Sequence, residues 1–189
     1  MLGRVLIALS FYVFSACAAG QIMEIPVLDH IIIGDGRYFV RAPVGWNGSA
    51  ALPVVVFFHG YRSSAVQVMA DASLGEALSS AGVLLVAPDG LKGSWTIGGR
   101  LSTGRDDIAF ARAVMADVEK RFPVDTSRRI AAGFSAGGFM TWQLACQAGG
   151  IFSAYVAVSG AFLDPLPEDC PTGPVSMLHI HGLADETVP

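Results

Sequence analysis

The sequence predicts an α/β domain: a mostly parallel sheet with helices on both faces and an antiparallel hairpin at its start. Three observations carry that expectation. After residue 26, short β-rich runs alternate with helix-length stretches, the pattern of βαβ units. Several of the runs are apolar throughout, as strands covered on both faces are. Between the first two runs stands Gly34-Asp35-Gly36, a hairpin signal.

The elements follow in order. Residues 29–33 and 38–41 are the hairpin strands, and residues 54–58 (Val-Val-Val-Phe-Phe) are the first parallel strand. A helical stretch over 65–80 leads to a strand at 83–87. The next helix, 106–121, opens on Asp106-Asp107, with acidic groups at the positive end of its dipole, and Pro123 follows its end. A strand at 129–132, a helix at 137–147 and strands at 154–158 and 175–180 complete the series. There is no internal repeat, linker or low-complexity stretch.

Composition narrows the function classes. A chain of 189 residues is one domain's worth, and at 52% apolar it is too hydrophobic to be disordered. Lys plus Arg is 12 and Asp plus Glu 16, a net charge of −4, and no basic run offers a footprint for nucleic acid.

Residues 1–18 read as a secretory signal peptide. Arg4 supplies the positive region, residues 5–14 the apolar stretch, and Ala16-Cys17-Ala18 a small-residue cleavage site. The apolar stretch falls well short of the roughly 20 residues of a membrane span. The expected product is a soluble exported domain, 19–189, extracellular or periplasmic, with no stable membrane span. Acylation at Cys17 as a lipoprotein is the less favoured alternative, since Phe14 stands where such signals usually carry Leu. Beyond the signal only Cys146 and Cys170 remain, 170 − 146 = 24 residues apart. In an exported chain two cysteines suggest one disulfide; two buried thiols are the other arrangement open to them. Asn47-Gly48-Ser49 is a glycosylation sequon, meaningful only in a eukaryotic host.

The sharpest chemical motif is Gly133-Phe134-Ser135-Ala136-Gly137-Gly138, placed after a strand and before a helix. That context makes it a nucleophile elbow, in which Ser135 stands exposed on a strained turn at a helix N-terminus. The dipole and free N–H groups there favour developing negative charge. A second motif, His59-Gly60-Tyr61, ends the strand at 54–58. The loop after this strand is expected to give one oxyanion N–H, from Tyr61 or else from a neighbour in the loop, and the residue after the nucleophile, Ala136, the other. His59 reads as a structural histidine that shapes the loop.

The third motif is His181-Gly182-Leu183-Ala184-Asp185 after the strand at 175–180. Asp185 is placed to orient an imidazole and stabilise its charged form, with Glu186 a weaker rival. His179 and His181, two apart on a strand, face one way, but no third ligand is near and no metal is expected. Asp106-Asp107, as adjacent residues at a helix start, suit capping and packing better than shared acid/base work. Trp95, in the loop 90–104, fits the lining of a substrate cleft or the core equally well.

Taken as an ordered set, these motifs resemble the exported esterases grouped with polyhydroxybutyrate depolymerases and feruloyl or acetylxylan esterases (carbohydrate esterase family one). Further matching points are Ala87-Pro88-Asp89-Gly90, Val124-Asp125 and Val188-Pro189. The resemblance runs from about residue 25 to the end. It implies an α/β-hydrolase fold, a Ser-His-Asp triad, no cofactor, and an ester substrate, polyester or cell-wall polysaccharide included. Carried over, Ser135 is the nucleophile, Asp185 the acid, and Cys146–Cys170 resembles that family's bridge. Nothing in the sequence sets an oligomeric state.

One departure stands out. Triads of this fold run serine, acid, histidine, and the four histidines here (His30, His59, His179 and His181) all precede Asp185. The family's last strand and helix, which carry the base, are expected to be missing, and this chain to be inactive or nearly so. Two other classes compete with this reading. A serine peptidase of the prolyl-oligopeptidase type shares the elbow but usually carries a propeller. A non-catalytic binding module on a hydrolase scaffold would have no need of the elbow.

Overall fold

The computed structural model describes residues 30–97, 103–163 and 165–188. The proposed signal at 1–18 and Cys17 lie outside the described residues. Seven strands form one sheet: β1 (Ile31–Ile33), β2 (Gly36–Arg41), β3 (Leu52–Phe58), β4 (Leu84–Pro88), β5 (Val124–Phe134), β6 (Ala154–Val158) and β7 (Met177–Ile180). Their order across the sheet is β1-β2-β4-β3-β5-β6-β7. The hairpin strands pair antiparallel, β2 also pairs antiparallel with β4, and every other pairing is parallel. The expected mixed sheet with an antiparallel start is what the chain forms.

Four helices cover it: α1 (Ala65–Ala70), α2 (Ala72–Ser80), α3 (Asp107–Arg121) and α4 (Ala136–Gln147). Alternation along β4 shows that they sit on both faces. Leu84 and Val86 point into the main core with α3 and α4, whereas Leu85 and Ala87 pack under α1 beside Leu74 and Leu78 of α2.

Two elements depart from the sequence reading. The helix expected over 65–80 breaks at Asp71, whose extended backbone (φ −71°, ψ 103°) ends α1 while its carboxylate accepts the Leu74 N–H and caps α2. Strand β5 begins five residues before the apolar run at 129–132. Polar residues hide that start: Asp125 accepts from the Ser127 N–H and hydroxyl. A register shift between Leu52 and Val54 then brings β5 onto β3.

Cys146, at the end of α4, is joined by a disulfide to Cys170, with Cα atoms 4.5 Å apart. It ties the segment before β7 to the helix that follows Ser135. Register aligns Phe134, Val158 and Ile180 in one row across β5, β6 and β7, with Ala132, Val156 and Leu178 in the next. On this face, beyond α1, Phe134, Leu178 and Ile180 remain about half exposed. A groove of about 390 Å³, lined in part by Phe57, Val68, Leu74, Phe134 and Val158, runs along it. No described helix is long and apolar enough to cross a membrane.

Candidate active site

The row Phe134, Val158, Ile180 puts the residues that follow each strand, Ser135, Ser159 and His181, side by side at the carboxyl edge of the sheet. Open α/β sheets bind their ligands at that edge. Two backbone bonds fix the alignment: the Ser135 N–H donates to the Val158 carbonyl at 2.9 Å, and the Ser159 N–H to the Ile180 carbonyl at 2.8 Å.

Ser135 has φ 52° and ψ −117°, a conformation that costs a non-glycine residue about 1–3 kcal/mol. The turn holds because the residues two before and two after Ser135 are glycines. A β-carbon on Gly133 would stand 2.1 Å from the Gly137 carbonyl oxygen. Helix α4 begins at Ala136, and the Phe139 N–H closes on the Ser135 carbonyl at 3.0 Å. The Ala136 N–H has no acceptor among the described residues and is one of the open donors at the helix N-terminus.

The loop after β3 lies against this turn. A β-carbon on Gly60 would be 3.7 Å from the Ser135 β-carbon. Two of the loop's amides are already used: Arg62 N–H donates to the Gly93 carbonyl at 2.8 Å and Ser63 N–H to the Gly60 carbonyl at 3.1 Å. The N–H groups of Gly60 and Tyr61 have no acceptor among the described residues.

His59 braces the loop from below. It is 1% exposed, its Nδ1 lies 2.8 Å from the Gly60 carbonyl, and its Nε2 accepts the Gly90 N–H at 2.9 Å. Burial pushes its pKa below the ordinary 6.5. Trp95 is fully buried, its indole N–H donates to the His59 carbonyl at 2.8 Å, and its ring lies edge-on to Phe58. It belongs to the core, so the cleft-lining alternative falls away. Asp106 caps α3 through the Ala109 N–H, and buried Asp107 pairs with Arg105 at 2.6 Å. Both do structural work, as their position at a helix start suggests.

Asp185 sits in a turn that closes on itself. Its Oδ1 accepts the Thr187 and Val188 N–H groups, each at 2.9 Å. Those two amides, first Val188 and then Thr187, hold the carboxyl below its usual range, with smaller help from His181 and the Ser159 side chain. His181 Nε2 lies 3.6 Å from Asp185 Oδ2 and 2.5 Å from the Val188 carbonyl oxygen. His179 Nε2 and His181 Nδ1 are 3.0 Å apart, so the pair does face one way and bonds to itself. Among the described residues, no three His, Cys, Asp or Glu side chains gather as metal ligands would.

Sequence reasoning missed Ser159 and the role of Asp89. Ser159 has φ 48° and follows β6 where Ser135 follows β5. Asp89 accepts from the Ala65 N–H and from Arg37 Nε, both at 2.7 Å, and joins the start of α1 to β2. A turn signal at Pro88-Asp89-Gly90 was the available hint for Asp89; Ser159 carried none.

No protein-family model matches the chain. Among curated proteins it is 30% identical to feruloyl esterase C of Emericella nidulans over 162 residues, covering 83% of this chain and 57% of that protein. It is 35% identical over 162 residues to the probable feruloyl esterase C of Aspergillus niger, with the same coverage. It is 33% identical over 141 residues to the putative esterase NocK of Nocardia uniformis subsp. tsuyamanensis, covering 72% of this chain and 41% of that one. The chain thus spans little more than half the length of the feruloyl esterases it matches. Among solved structures, a thermostable esterase superposes with a TM-score of 0.63 at 20% identity, over 82% of this chain and 44% of that one. Acetyl xylan esterase from Aspergillus awamori gives 0.57 at 17%, over 68% and 50%. With sheet order and elbow in agreement, the chain has an α/β-hydrolase fold and is similar in sequence to esterases.

Proposed function

We propose that this chain carries the nucleophile, oxyanion donors and acid of a serine esterase that cleaves carboxylic esters through an acyl-enzyme. The observation that carries the reading is the strained Ser135 turn, with the open Tyr61 and Ala136 N–H groups beside it. Ser135 Oγ attacks the ester carbonyl carbon as its proton passes to the base, which returns it to the departing alcohol. The carbonyl oxygen, now an oxyanion, takes the N–H groups of Ala136 and Tyr61. Collapse expels the alcohol, and water then releases the acid and restores Ser135. Asp185, kept ionised by the Thr187 and Val188 amides, orients the base.

The described histidines do not offer that base. His59 has both ring nitrogens bonded below the loop. His179 and His181 bond to each other, and His181 also to Val188. His30 precedes β1, four strand spacings from β5, about 19 Å. The base of the working enzyme is therefore assigned to a histidine later in chain order than Asp185. A chain without that histidine should turn over only at the residual level of an oxyanion hole alone.

The names of the relatives support feruloyl or acetyl esters of plant cell-wall polysaccharide as substrates, and the motif resemblance adds polyhydroxyalkanoate polyesters. Export of a domain at 19–189, after removal of 1–18, is supported by the composition of that leader and by the Cys146–Cys170 bridge.

The test is hydrolysis of nitrophenyl acetate and methyl ferulate, together with fluorophosphonate labelling, by this chain and by a form continued to a late histidine. The continued form should turn over both esters and label at Ser135, with Ser135→Ala silent in both assays. Failure of the continued form to label would sink the esterase reading. Ordinary turnover by the 189-residue form, lost in Ser135→Ala, would overturn the assignment of the base.

A further inference from the structure

We propose that His181 is a positioning residue for the acid: it clamps the Val188 peptide that feeds the Asp185 carboxylate, and His179 fixes the tautomer that makes the clamp work. The catalytic consequence rests on Asp185 being the triad acid; the clamp itself stands on geometry.

The Val188 peptide is held at both ends. Its N–H donates to Asp185 Oδ1 at 2.9 Å and its carbonyl faces His181 Nε2 at 2.5 Å. A carbonyl can only accept, so the His181 proton sits on Nε2. A neutral imidazole carries one N–H, which leaves Nδ1 as an acceptor. The partner 3.0 Å from Nδ1 is His179 Nε2, which must then donate. Without His179, the His181 proton would be free to move to Nδ1, and the bond to Val188 would be lost. His179 is itself held edge-on against Trp142, ring centroids 5.7 Å apart. Trp142 lies in α4, the helix that starts beside Ser135. A contact chain thus runs from the nucleophile's helix through Trp142, His179, His181 and Val188 to the acid.

Direct attraction between His181 and Asp185 is not the device. At 3.6 Å, Nε2 and Oδ2 are beyond a good hydrogen bond, while the Val188 carbonyl takes the proton. The same bonding removes His181 as a rival base, since neither of its nitrogens is open.

The test compares His181→Phe, His181→Gln and His179→Phe by backbone amide hydrogen exchange at Thr187 and Val188 and by NMR titration of the Asp185 carboxyl. His181→Phe keeps ring volume and removes both nitrogens. Exchange at Val188 should rise at least tenfold and the Asp185 carboxyl should titrate nearer its ordinary value. His181→Gln, whose amide can donate to the Val188 carbonyl, should recover most of the protection. His179→Phe, which leaves His181 in place, should raise Val188 exchange several-fold. Wild-type exchange in His181→Phe overturns the clamp, and wild-type exchange in His179→Phe overturns the tautomer-setting role. Should His181→Phe fail to fold, His181→Asn, too short to reach the Val188 carbonyl, takes its place, and wild-type exchange at Val188 in that variant overturns the clamp. In the form continued to a late histidine, His181→Phe should lower kcat on nitrophenyl acetate with KM held. Absence of hydrolysis by that unmutated form counts against the esterase reading, and the exchange data still judge the clamp.

Discussion

A β-carbon on Gly137 would stand 1.8 Å from the carbonyl oxygen of Phe58 and 2.9 Å from that of His59. The first turn of α4 therefore rests directly on the backbone that ends β3 and begins the loop of Tyr61. Neither partner is a flexible side chain, so Gly137→Ala must push α4 away from the loop of Tyr61. The expected loss is about 3 kcal/mol of stability, at the upper end for overpacking. Chemical denaturation checks it; an unchanged midpoint would show that the two backbones are not in contact.

The Cys146–Cys170 bridge closes a loop of 24 residues between α4 and the approach to β7. Chain-entropy reasoning gives it about 3–4 kcal/mol. Cys146→Ser with Cys170→Ser, or the reduced protein, should unfold at correspondingly lower denaturant. Equal midpoints for the oxidised and reduced protein would contradict this.

Arg105 and Asp107 form a buried pair at 2.6 Å, 7% and 2% exposed. Asp107 also accepts the Thr96 N–H at 2.6 Å, Arg105 donates to the Asp89 carbonyl at 3.0 Å, and the guanidinium lies 3.9 Å from the Phe110 ring centroid. Arg105→Met strands a carboxylate in the interior and should cost about 3–5 kcal/mol. Adding Asp107→Leu to it should restore part of the loss, because two apolar groups leave no unpaired charge. Thermal denaturation of the single and double variants reads this directly, and a double variant weaker than the single one would refute it.

His59 sets a pH dependence whose sign follows from its lowered pKa. Between that lowered value and the ordinary 6.5, the unfolded chain binds the proton and the folded one does not. Stability therefore rises with pH across this window and is level above it, as far as His59 is concerned. Asp185 and Asp125 have lowered pKa values, the latter to about 2, and act separately in the acid range below 3.8. Tm measured between pH 7.5 and 5 should fall, and His59→Asn, though less stable throughout, should lose that slope. An identical slope in the variant would assign it elsewhere.

Phe134, Leu178 and Ile180 present a half-exposed apolar surface on one face of β5 and β7. A patch of this kind attracts other apolar surfaces. The folded 189-residue form should bind a hydrophobic dye and self-associate as its concentration rises. Leu178→Lys with Ile180→Thr should reduce both without moving the disulfide. Sedimentation that shows a monomer at every concentration would count against it.

What the sequence disclosed was mainly local. The strand at 154–158 and the caps of α3 were legible because apolar runs and an acidic N-terminus act within a few residues. Ser135 was legible because its turn needs glycines at fixed offsets. The rest depended on distant partners. The open amides of the loop after β3 narrow to Gly60 and Tyr61 only once Arg62 N–H is seen to be taken by Gly93, which lies in another loop. Trp95 could not be assigned to the core until its indole met the His59 carbonyl. The place of Ser159 beside His181 arises from the register of β6 against β7, which no local pattern encodes.

The pairing of β3 with β5 has a kinetic consequence. Val56 lies opposite Ala131, 131 − 56 = 75 residues further along the chain. Bringing those segments together costs about 4 kcal/mol of loop-closure entropy before any contact repays it. The Ser135 turn rests on both strands, so it can form only after that closure. The Ser135 turn thus waits on that pairing, and newly made chains must pass through a period with β3 unpaired on one side. Slower synthesis at low temperature should favour the soluble product for that reason.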